Sequence, residues 1–145
     1  MGTFKVCIPP THTISALTAD DVLAGYFVKA MSFADVAATD DWEGHIVVEK
    51  VASASDSLVA VGIAMASVTS GNIVSIATDG WFQLPAEYAV IIGREVGAPQ
   101  TDPLSIRAAS YTATGSTNAL EYIKPVGMCW SSAASGEQCL FKLNL

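Results

Sequence analysis

Two stretches of the sequence, VGIAMASVTSGNIVSI at residues 61–76 and VGMCWSSAASGEQCLF at 126–141, align without a gap. Val61, Gly62, Ser67, Ser70 and Gly71 match Val126, Gly127, Ser132, Ser135 and Gly136. Each copy reads as a strand containing glycine, a small polar connection with a Ser-Gly turn, and a returning strand. A unit of that kind has one face to bury, so the simplest reading is a duplicated β unit closing one barrel or sandwich. Two copies make no solenoid. Several matched residues are common in this chain, and chance similarity is the competing explanation.

Other segments also favour strands. Residues 2–16, GTFKVCIPPTHTISA, contain Pro9 and Pro10, which forbid helix and remove two amide donors, so residues 1–16 read as an extended arm before a single β-rich domain at 17–145. Leu17 to Leu23 suits one helical turn with Thr18 as its N-cap and Asp20 and Asp21 in its first turn, followed by Gly25 and the strand-like YFVKA. Residues 35–44 read as an acidic loop and HIVVEKVA, 45–52, as a strand. The sharpest local signal is IVSIAT, 73–78, then Asp79-Gly80 and WFQL, which predicts a tight hairpin. YAVIIG from Tyr88 is a further candidate strand, GAPQTDP at 97–103 a loop, and IRAASYTA, EYIKPVGMCW and EQCLFKLNL are strand-like around a TGSTN tip. The expectation is a mostly β fold with little helix.

Length and composition narrow the function. At 145 residues the chain suits one domain. Hydrophobic residues make up 51% and charged residues 14%, an apolar surplus that points to an interface. The net charge is −7 and the seven Lys and Arg residues are scattered singly, so no basic stripe exists for nucleic acid or an anionic membrane. No secretory leader or run of about 20 apolar residues is recognisable, and synthesis in the cytoplasm is the expectation. Cys7, Cys129 and Cys139 show no CxxC spacing, so neither a disulfide scaffold nor a zinc knuckle is expected; three free thiols are, although Cys129 and Cys139 flank the second Ser-Gly turn and could face each other.

No catalytic constellation stands out. His12 sits beside the prolines, His45 starts an apolar strand, and Ser70 and Ser135 look like turn residues outside any GxSxG elbow. Asp40, Asp41, Glu43 and His45 are the densest set of hard ligands, but their spacing fits no EF-hand and a solvated acidic loop explains them. No phosphate-cradling glycine motif is present, and no metal or cofactor is expected. Trp42, Trp81 and Trp130 lie in separate segments and would form a sugar-stacking platform only if the fold aligned them.

The stretch SLVAVGIAMASVTSGNIVSIATDGWFQLPAE, 57–87, resembles the capsid cement (head-decoration) proteins of tailed bacteriophages, in which a VG-A strand, an SG turn and a V-T-G-F-LPA hairpin follow one another. AGYFVKA and the closing VGMCWSSAASGEQCLFKLNL are similar too, and residues 88–118 correspond to nothing in that family. The resemblance implies a β-barrel or β-tulip, a homotrimer bound to the major capsid protein on the outer surface of the virion, and no catalytic residues. It also implies an N-terminal latch, for which Phe4, Val6, Ile8, Pro9 and Pro10 are the candidates. On that reading residues 2–13 are mobile or lie across a neighbouring subunit, and their loss leaves melting nearly unchanged. The alternative is a non-catalytic carbohydrate- or surface-binding module, with Trp42 beside Asp41 and Glu43 as its platform.

Overall fold

Residues 3–32, 44–53, 56–109, 111–114, 119–122 and 124–145 are described by the computed structural model, which is nearly all β. In chain order the strands are β1 (Lys5–Ile8), β2 (Thr13–Thr18), β3 (Phe27–Ala30), β4 (Val47–Lys50), β5 (Ala60–Ala64), β6 (Ile73–Ala77), β7 (Asp79–Pro85), β8 (Glu95–Gly97), β9 (Arg107–Ala108), β10 (Tyr111–Thr114), β11 (Ala119–Tyr122), β12 (Pro125–Cys129) and β13 (Gln138–Asn144). Among the described residues the one helical element is a 3-10 turn, Asp56–Val59. The expected mostly β fold with little helix is therefore observed.

Strands β2-β4-β3-β5-β6 close a barrel, and β1-β7-β13-β12-β8-β9 form a six-stranded sheet, with β10-β11 a separate hairpin. Alternation sets the faces. In β13, Cys139, Phe141 and Leu143 point inward while Lys142 and Asn144 are exposed, as the period of two requires. One apolar cluster, Ala16, Val22, Val28, Val48, Ala64, Val74 and Ile76, fills the barrel. The larger one joins residues of both sheets, with Phe27 stacked 6.5 Å from Phe141 and Phe82 tilted against Phe141 at 6.2 Å.

The two aligned stretches occupy equivalent places. Val68 exchanges amide and carbonyl bonds with Val22, as Ala133 does with Val90. Gly71 donates to Thr18 and Gly136 to Ala86; Gly25 donates to Ala64 and Gly93 to Cys129. The matched serines have matched duties. Ser67 Oγ accepts from Ala24 N and Ser132 Oγ from Ile92 N, while Ser70 Oγ donates to Ala19 O and Ser135 Oγ to Glu87 O. The correspondence thus extends to residues 13–30 and 81–98, where Val22, Gly25, Val28 and Ala30 match Val90, Gly93, Val96 and Ala98.

The glycines are matched for two reasons, close approach and backbone conformation. A Cβ on Gly62 would lie 2.3 Å from Ala77 O, and one on Gly127 1.9 Å from Lys142 O. Gly71 and Gly136 have φ of +84° and +83°, the left-handed conformation that a Ser-Gly turn demands.

Closure differs between the halves. In the first, β2 and β4 pair in parallel through Leu17↔Val47 and Thr18↔Val48. In the second, β9 reaches β7 through one parallel bridge, Ala86↔Ile106. Leu17 N donates to Ile46 O, but the equivalent position holds Pro85, which has no amide to donate.

Four local expectations are corrected. Asp79-Gly80 makes no hairpin: β6 already has β2 and β5 on its two sides, so β7 leaves the barrel and pairs with β1 and β13 instead. Leu17 to Leu23 is not helical; Leu17 and Thr18 belong to β2, and Thr18 Oγ1 closes a turn by donating to Asp20 O and accepting from Asp20 N. Asp20 and Asp21 instead accept the amides of Lys50 and Ser70. Tyr88 to Gly93 is a connection with a bridge at Val90, and the strand begins at Glu95.

Candidate functional site

The sequence predicts that residues 2–13 are mobile or lie across a neighbouring subunit. Instead β1 lies antiparallel on β7 (Lys5↔Gln83, Val6↔Phe82, Ile8↔Trp81), with an irregularity between Val6 and Ile8, and residues 13–16 are part of the barrel strand β2. Phe4 explains this position. Its ring stacks on Phe82 at 5.7 Å and fills the space over Gly25, where a Cβ would meet it at 2.6 Å. Gln138 Nε2 donates to Thr3 O.

The connection after the prolines is pinned as well. Asp79 accepts from the backbone amides of Thr11 (2.8 Å) and His12 (3.0 Å) and from the Thr11 hydroxyl. Those bonds, with the Thr11 hydroxyl foremost, hold the Asp79 carboxyl well below the usual carboxylate range. His12 Nδ1 lies 3.0 Å from Thr11 Oγ1 and 3.1 Å from Asp79 Oδ2. Both partners crowd one ring nitrogen, so no path runs from hydroxyl through the ring to carboxylate, as nucleophilic catalysis by such a trio needs.

Of the latch candidates, Phe4 is half-buried, Pro10 is half-buried, and Val6, Ile8 and Pro9 are exposed. β1 is the end strand of its sheet, so its outer edge carries amides with no strand partner among the described residues. Pro9 and Pro10 cut that edge short.

The outer face of the same sheet brings together residues that are remote in sequence. One cross-strand row runs Ile8, Trp81, Lys142, Met128, Glu95, each opposite the next on the adjoining strand. Trp130, immediately after β12, meets Trp81 with ring centroids 4.7 Å apart and planes tilted by 55°. Trp130 remains 47% exposed and Met128 45%. Lys142 Nζ sits 6.0 Å over the Trp81 ring. Beside the indoles is an open groove of about 440 Å³ lined by Glu95, Pro125, Gly127, Met128, Trp130, Lys142 and Asn144. Of the three tryptophans, the fold brings Trp81 and Trp130 together; Trp42, with Asp40, Asp41 and Glu43, lies outside the described residues. Among the described residues no three His, Cys, Asp or Glu side chains converge on a metal position. Sequence reasoning missed Glu95, Met128, Lys142 and Asn144; alternation in β12 and β13 puts the last three outside, but only the register shows what they face.

Two internal devices complete the second half. Glu87 accepts the amides of Gln100 (2.9 Å), Thr101 (2.8 Å) and Asp102 (3.3 Å) and the Thr101 hydroxyl (2.6 Å), tying the loop after β8 to the end of β7. Cys129 and Cys139 take the barrel positions that Ala64 and Val74 hold in the first half, and their sulfurs are 3.0 Å apart as thiols. Burial, reinforced by the neighbouring Cys129, pushes the Cys139 thiol up to about 12. Cys7 is exposed.

A closed five-stranded β-barrel packed against a second, six-stranded sheet defines the architecture. Among solved structures, the N base of the head fibre protein gp8.5 of bacteriophage phi29 shares it, with a TM-score of 0.56 at 12% identity over 92% of this chain and 93% of that chain. At that identity the likeness is one of fold. No family model matches the chain, and no curated protein is similar enough to count as a relative.

Proposed function

We propose that this chain is a non-enzymatic structural protein of a tailed-phage virion, which binds the major capsid protein on the outer surface of the head and cements the shell as a homotrimer. The supporting observation is that the fold likeness runs through nearly the whole of both chains, and that the matched protein is the base of a head fibre. A cementing protein must present one surface to the shell while holding a compact β scaffold above it. The cement-family likeness of residues 57–87 points the same way.

The attachment element on this reading is β1. Its free edge can accept a strand from the shell, with Val6 and Ile8 supplying apolar contact, and the two prolines limit that pairing to a few amides. Each contact is modest; three copies in one trimer make attachment multivalent.

Mixing the purified protein with undecorated, expanded heads and following co-sedimentation tests the proposal. Saturable binding that is lost on replacing Val6 and Ile8 by lysine supports it. Heads that bind nothing at any concentration of folded protein overturn it, and a persistent monomer in light scattering, both free and when eluted from heads, removes the trimer.

A further inference from the structure

We propose that the groove beside Trp81 and Trp130 is a binding site for a neutral glycan, in which a pyranose ring stacks on Trp130 and its hydroxyl groups bond to Glu95, Lys142 and Asn144. This goes beyond attachment to the head and does not depend on it.

The chemistry follows from what is exposed and unengaged. A pyranose has an apolar face of C–H groups and a rim of hydroxyls, so it needs a flat apolar surface flanked by donors and acceptors. Trp130 provides the surface. Trp81, half-buried and tilted against it, braces the indole from one side while Lys142 covers part of Trp81, so the open ring is that of Trp130. Around it stand an acceptor (Glu95), a donor (Lys142) and an amide that does both (Asn144), none engaged in a side-chain hydrogen bond or ion pair within the described chain. Glu95 and Lys142 are two strands apart in the row, about 10 Å, the span of a short oligosaccharide. Met128 lies between them in the row and gives the groove an apolar floor, and the groove volume is within the range of about 300–1,000 Å³ usual for small-ligand sites.

Charge selects the class. One carboxylate and one ammonium offset each other in the groove, so it favours neither a polyanion nor a polycation, and a chain of net charge −7 repels nucleic acid and anionic lipid in any case. A second copy of this chain is the other candidate occupant. It would seal Glu95 and Lys142 into an interface core without a close partner on their own chain, and such cores are depleted of charge because unpaired buried charges are costly.

The test uses 15N-labelled full-length protein and three neutral probes: chitotriose, cellotriose and maltotriose, which separate N-acetylated from plain glucans and β from α linkage. At least one should shift the Trp130 indole N–H signal saturably, with a dissociation constant on the order of 1 mM. Trp130→Ala and Glu95→Gln should each weaken binding about tenfold or more. The Glu95→Gln variant keeps the fold and the indoles, so its loss reports hydrogen bonding rather than unfolding. Three results overturn the proposal: no shift with any probe at about 10 mM, binding that survives Trp130→Ala, or sedimentation in which Trp130→Ala turns an oligomer into a monomer, which would make the face a subunit interface.

Discussion

Replacing Gly127 by alanine would place a methyl carbon 1.9 Å from the carbonyl oxygen of Lys142 and 2.9 Å from its carbonyl carbon. Lys142 cannot retreat, because β13 is paired with β12 on one side and β7 on the other. Overpacking a tight site costs about 1–3 kcal/mol where side chains can yield. Here the obstacle is backbone in a doubly paired strand, so the upper end, about 3 kcal/mol, is the expected loss. At about 2–4 °C per kcal/mol for a chain of this size, Tm should fall by about 6–12 °C. Gly136→Ala is the control. Its methyl group meets open space, and only its φ of +83° is unfavourable, so about 1 kcal/mol and about 3 °C are expected. Thermal unfolding followed by far-UV circular dichroism compares the two directly. If Gly127→Ala melts within a degree or so of the parent, or above Gly136→Ala, the close approach of β12 to β13 is not what fixes glycine at this position.

Phe4→Ala should lower Tm by about 4–8 °C, because a half-buried ring stacked on Phe82 is worth about half of the 3–5 kcal/mol lost with a fully buried one. An unchanged melt would mean that β1 is not part of the folded unit. Thiol counting on denatured, unreduced protein should find three free thiols, with only Cys7 reacting quickly in the native state. Because the folded Cys139 thiol is raised from 9.0 to about 12, its stabilising contribution is complete below pH 9.0 and is lost as pH rises toward 12. Cys139→Val, which installs the residue found at the equivalent Val74, should therefore lose less stability than the parent across that window. Asp79 is shifted the other way, so its contribution is present above its ordinary value of 3.8 and is lost as pH falls below it. Asp79→Asn should reduce the acid sensitivity of Tm and raise proteolysis between β1 and β2.

The duplicated stretch was legible because the same steric demands recur. A strand that passes within contact of its neighbour's carbonyl must carry glycine, and a left-handed turn must too, so Gly62, Gly71, Gly127 and Gly136 leave a mark in the sequence. The equivalence of residues 13–30 and 81–98 left a fainter mark, Val22, Gly25, Val28 and Ala30 against Val90, Gly93, Val96 and Ala98, since the bonds that define it come mostly from backbone amides and carbonyls. Asp79-Gly80 misled because turn propensity is local, whereas pairing was settled by barrel closure, which left β6 no free edge. Pro9 and Pro10 correctly mark an extended segment, yet say nothing about where it lies; Phe4 over Gly25 decides that, from residues far apart in the chain. The Trp81–Trp130 surface was equally hidden, because it depends on the register of β7, β13 and β12 together.

The proline at position 85 has a dynamic consequence. Where the first half zips shut along β2 and β4, the second is joined at its seam, among the described residues, by the bonds from Glu87 N and Ile106 N. Fluctuations that part β7 from β9 therefore need fewer bonds broken than the matching motion in the first half, and solvent should reach the Ile106 amide sooner than that of Ala19. Deuterium uptake would show one breathing half and one locked half, with the Glu87 clamp on residues 100–102 limiting how far the breathing half can spread.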